Sequence, residues 1–164
     1  MKKIGEHVAR GNLRAQDGAA GLADGDEIRI RLFDGRFDTA FRVTKFVVFG
    51  GDQSQMDASG RIATEPNLST DIDFFYDAGD NRQIAWAGHN GSTDLGFQDI
   101  DGLVDRENLV IEDLYLSFRF PAGTVTAVNY YIEMDKYDIS ETMGAVTMVA
   151  NKSQGSDASQ RWIA

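Results

Sequence analysis

Carboxylates are the most plentiful reactive groups in this chain: 26 Asp and Glu stand against 16 Lys and Arg and two His, in 164 residues without a cysteine. Two acids on facing strands could act as the acid and base of a glycosidase. Abundance alone selects no pair, however. Asp77, Asp80 and Asn81 in one turn, or Asp94, Asp99, Asp101 and Asp105 in the next polar stretch, offer the hard oxygen ligands that calcium prefers. Neither set has EF-hand spacing, and turns rich in Asp and Gly form without a metal. A serine triad would have to recruit His7 or His89, and His89, between Gly88 and Asn90, reads as a loop residue. No nucleophile elbow, phosphate-binding loop, zinc-protease motif or dinucleotide fingerprint occurs. The missing cysteines exclude disulfides, thiol nucleophiles and sulfur-ligated zinc. Trp86, Tyr76, Tyr115, Tyr130 and Tyr131 could stack on a sugar, but aromatics at period-2 spacing read first as core. No catalytic residue, cofactor or metal ligand is therefore assigned, and no small-molecule ligand is expected.

The elements that would position such groups are mostly strands. Ile28, Ile30 and Leu32 alternate with Arg29 and Arg31 before Asp34-Gly35, which predicts a strand and a hairpin. Residues 41–49 are β-branched and aromatic and end at Gly50-Gly51, as a buried strand would. Residues 50–70 read as a long loop. Ile72, Phe74 and Tyr76 alternate with Asp71 and Asp73, then a turn over 77–81 leads to residues 83–87, a second hairpin. Residues 88–108 form another polar stretch. Val110, Leu114, Leu116, Phe118 and Phe120 share one parity, Pro121-Ala-Gly123 breaks the run, and residues 124–134 return as the partner strand of a third hairpin. One helix follows. Ser140 is its N-cap, Glu141 lies in its first turn, and Ile139, Met143, Val146 and Ala150 recur on one face.

With six to eight strands and no βαβ alternation, the expected fold is all-β: an antiparallel β-sandwich or jelly roll with one short C-terminal helix. Residues 1–26 lack a sustained period and read as an N-terminal arm or irregular lead-in. The sandwich domain is placed at 27–152 and a C-terminal tail at 153–164.

Charge is divided unevenly along the chain. Residues 1–50 carry nine Lys and Arg against seven Asp and Glu, and the rest carry seven against nineteen, which gives +2 and −12 for the formal total of −10. An acidic body repels phosphate backbones and anionic membranes, so specific nucleic-acid binding is not expected. Lys2, Lys3, Arg10 and Arg14 make the front basic and suit it to an acidic protein surface, while Trp162 and Ile163 give the tail an apolar tip. These six residues are the candidate inter-subunit contacts. No apolar run approaches the ~20 residues of a membrane span, and the first thirty residues lack the apolar stretch of a secretory signal.

Residues 108–117 (NLVIEDLYLS), 128–134 (VNYYIEM) and 137–146 (YDISETMGAV) together resemble the C-terminal portion of small virion structural proteins of bacteriophages, over about the last third of the chain. The resemblance implies a capsid subunit or a decoration or minor capsid protein, made in the host cytoplasm and residing in the virion. Its partners would be other copies of itself and other virion proteins, and it would work by assembly instead of turnover. It contains no catalytic motif and transfers no site residue. The alternatives from the residues themselves are a carbohydrate- or receptor-binding sandwich presenting Trp86 and neighbouring tyrosines, and a hydrolase with paired acids.

Overall fold

The computed structural model describes residues 1–14, 27–51, 58–68, 75–89, 100–120 and 127–152. Their elements are β1 (Lys2–Arg14), β2 (Glu27–Ile30), β3 (Thr39–Gly50), β4 (Ala58–Ala63), β5 (Gln83–His89), β6 (Ile100–Val104), β7 (Leu114–Arg119), β8 (Ala127–Asp138) and helix α1 (Glu141–Lys152). The strands form two antiparallel sheets, a three-stranded one in the order β1-β8-β3 and a five-stranded one in the order β2-β7-β4-β5-β6. The ladders β1–β8, β2–β7 and β4–β5 are three of the four nested pairs of a jelly roll. The fourth, β3 with β6, is not formed as a ladder among the described residues: β6 pairs with β5 in the five-stranded sheet and only packs against β3. A Cβ on Gly102 of β6 would fall 1.7 Å from the carbonyl oxygen of Phe46 on β3, so the two backbones meet where only glycine fits.

Alternation explains which residues fill the space between the sheets. Val128, Ile132 and Met134 of β8 face Leu114, Leu116 and Phe118 of β7 and Ile62 of β4 in one continuous core. On β3 the ladder shifts register between Val43 and Lys45. That irregularity turns Phe46 inward after Val43 and leaves Lys45 exposed, where strict alternation would have buried the lysine.

Strand pairing differs from the sequence expectation at two of the three expected hairpins. Gly35 does adopt a left-handed turn conformation, with φ +85°. The strands on either side of it nevertheless go to different sheets. Asp113 accepts the N–H groups of Leu32 and Phe33 at 2.9 and 3.2 Å, satisfying the backbone beyond Ile30 without a hairpin partner. Likewise β7 and β8 belong to opposite sheets, because the nested order gives β7 to β2 and β8 to β1. Two strands lie inside stretches read as loops. β4 was hidden by Ser59-Gly60-Arg61, and β6 is short and contains Gly102. The expected strand over 72–76 falls mostly outside the described residues, and Tyr76 itself is not in a strand. Of the expected arm, residues 2–14 form β1, a regular member of the three-stranded sheet.

Helix α1 begins as expected: the Ser140 hydroxyl accepts the Met143 N–H at 3.1 Å. Its buried face is a different one. Gly144 and Asn151 are buried, whereas Met143, Val146 and Ala150 point outward, with Val146 65% exposed. Two polar contacts turn the helix this way. Asn151 donates from Nδ2 to the Leu109 carbonyl at 2.7 Å, and the Thr64 hydroxyl donates to the Asn151 carbonyl. Ile139, just before the cap, packs with Ala40, Leu109 and Ile111 in a second small core.

Candidate functional site

β1 brings four of the six residues singled out in the sequence onto one element. Lys2, Lys3, Arg10 and Arg14 all lie on this strand, and all are exposed. Trp162 and Ile163 lie outside the described residues. From Val8 onward the strand has a period of two: Ala9, Gly11 and Leu13 are half-buried on one face, while Val8, Arg10, Asn12 and Arg14 are exposed on the other; His7, on the same face as Ala9, is exposed. This signal was present in the sequence. Glycine at one of the inward positions disguised it, because the period reads as apolar only when small residues are counted with apolar ones.

The basic residues on β1 are not equivalent. Lys3 Nζ lies 2.8 Å from Asp135 and 2.8 Å from Glu6, and its pKa is raised, first by the hydrogen bond to Asp135 and then by that to Glu6. Lys3 therefore ties β1 to β8. Arg14 donates from Nε to Asn12 at 2.7 Å, and Asn12 donates to Asn129 of β8 at 2.8 Å. Arg10 makes no ion pair among the described residues and stands opposite Tyr131. Lys2 stands opposite Asp138.

The decisive property of β1 is its position in the sheet. It pairs with β8 along nearly its whole length, and no described strand pairs with its other edge. Half of the N–H and C=O groups of a strand point to each side, so this edge offers a row of donors and acceptors over 13 residues. Exposed Ile4 and Val8, at 51% and 46%, lie beside it. The two edges of the other sheet are short, four residues in β2 and five in β6.

The other candidate chemistries are dispersed or engaged. Asp80 is chelated by Arg82, with Nη2 to Oδ2 at 2.6 Å, and Asp113 meets Arg29 and two backbone N–H groups. Burial works against the charged form in both. The hydrogen bonds and guanidinium charges outweigh it and lower both pKa values, as Arg36 does for Asp38. A general acid needs the opposite shift. Asp77 accepts the Gly79 N–H, and Asp105 accepts Glu107 N–H and the Asn108 amide, so these acids stabilise their own turns. Asp94 and Asp99 lie outside the described residues, as do the side chains of Asp101 and His89.

The five aromatics are divided between the sheets. Trp86 and Tyr115 lie on the outer face of the five-stranded sheet in different rows, exposed Tyr76 hydrogen-bonds Ser59 of that face, Tyr130 packs against the core, and Tyr131 stands on the outer face of the other sheet. A cleft of about 690 Å³ opens between α1 and the β2–β3 connection, lined by Phe37, Ala145 and Met148 with Asp38 and Glu141. Its Arg36 and Asp38 pair with each other at 2.6 Å.

The chain matches no family model, no curated protein and no solved structure. No described helix is long and apolar enough to cross a membrane.

Proposed function

We propose that this chain is a structural subunit that acts by self-assembly, as a capsid subunit or a decoration or minor capsid protein of a bacteriophage virion. The observation that carries the reading is β1, thirteen residues of strand paired on one side only among the described residues. The unpaired groups of such an edge are a template for another strand, which proteins elsewhere block with short edges, bulges, charged side chains or a covering element. β1 has one irregularity, between Lys3 and Gly5, and is regular from there to Arg14. The virion setting rests on the resemblance of the last third of the chain. The antiparallel β-sandwich is compatible with it, although sandwiches also serve many other functions, so the fold supports assembly without selecting it.

Light scattering on the native full-length chain tests this reading. A discrete multiple of the 18.1 kDa chain mass is expected at tens of micromolar. A monomer at that concentration would overturn it.

A further inference from the structure

Granting that reading, we infer that the partner of β1 is β1 of a second copy, paired antiparallel about a two-fold axis that passes through Val8. The union would make one continuous six-stranded sheet, β3-β8-β1 followed by the same three strands of the partner in reverse.

The register follows from symmetry and charge. A two-fold axis normal to the sheet keeps each face on its own side, so facing residues share the same parity. Centring the axis on Glu6 sets Glu6 against itself. Centring it on Arg10 sets that guanidinium against its own copy. With His7 or Ala9 at the centre, Glu6 and Arg10 both face neutral residues. Only Val8 at the centre places Glu6 against Arg10 of the partner subunit, twice by symmetry, with the two exposed valines in contact between them. The same register would bring Lys2 to Arg14 of the partner subunit. The irregularity between Lys3 and Gly5 ends the ladder before that clash. Arg10, which lacks an ion pair among the described residues of its own chain, gains one, and Glu6 is 74% exposed at its side chain and open to a second cation beside Lys3.

The native sequence has no cysteine, so a single introduced thiol reports the register directly. In Val8→Cys the two sulfurs would meet across the axis within disulfide reach, and mild oxidation should link the assembled chain nearly completely. In Asn12→Cys the thiols would lie about 27 Å apart at ~3.4 Å per residue, and no link should form. Charge reversal supplies the second measurement. Glu6→Arg and Arg10→Glu should each weaken association by about tenfold, and the double variant should return to within roughly threefold of the native chain. Thermal unfolding of each single variant guards against a folding defect, since both side chains are exposed. Linking through residue 12 but not 8, or no recovery in the double variant, overturns the register while leaving assembly intact. A native chain that is monomeric overturns both.

Discussion

The guanidinium carbon of Arg61 stands 4.0 Å from the centre of the Phe75 ring, and the same guanidinium donates to the Phe75 carbonyl. Arg61 is 1% exposed and sits mid-strand on the outer face of the five-stranded sheet, in a row with Glu27, Ser117 and Trp86. Its Nε has no hydrogen-bond partner, and burial pushes its pKa down. One side chain thus fastens the segment that contains Phe75 onto the sheet, while Gln83 holds the same carbonyl from the other side at 3.1 Å.

Because the charge of Arg61 is desolvated without a close carboxylate among the described residues, its packing should matter more than its charge. Arg61→Met, which keeps the long stem, is expected to change unfolding free energy by less than about 1 kcal/mol, and Arg61→Ala to cost roughly 3 kcal/mol. Denaturant titration of both separates the effects. Equal losses would show that the ionic contact dominates.

Asp113 should carry part of the acid sensitivity. Its pKa is lowered in the folded chain, so its contribution is fully present above the unfolded carboxylate value of ~3.9 and is lost as pH falls through the lower folded value. Asp113→Ala leaves the buried Leu32 N–H without an acceptor and should cost about 2–3 kcal/mol at neutral pH. Asp113→Asn keeps one acceptor oxygen and should cost about 1 kcal/mol while flattening the stability curve below the unfolded carboxylate value of ~3.9. An unchanged acid limb in Asp113→Asn would rule out this role.

Gly144 should invert the usual helix rule. Alanine in a helix interior ordinarily stabilises by ~1 kcal/mol over glycine. Here its Cβ would fall 2.0 Å from the Phe37 carbonyl oxygen, so α1 would have to move off the β2–β3 connection. Gly144→Ala is expected to destabilise by about 2 kcal/mol, read from the unfolding midpoint, and a stabilised variant would show that the helix is not seated there.

Some of this was written locally in the chain. Val128, Ile132 and Met134, or Leu114, Leu116 and Phe118, declare one-sided burial by their spacing, because a strand turns alternate side chains to opposite faces whatever its partner. Ser140 marks the helix start for an equally local reason, since its hydroxyl caps an N–H three residues on. The all-β class and the terminal helix therefore follow from the sequence alone, as does the clustering of basic residues at its front. Which strands pair does not. Residues 114–119 and 127–138 look like the arms of a hairpin, yet they lie in opposite sheets because each finds its ladder with a strand at the far end of the chain. Likewise the helix presents Gly144 and Asn151 inward in place of Met143 and Val146, because one close backbone approach and two side-chain hydrogen bonds outweigh a weak apolar stripe. The open edge of β1, on which the functional reading stands, is of the same kind. Its pairing with β8 alone among the described strands follows from where distant segments meet in space, which no local pattern encodes.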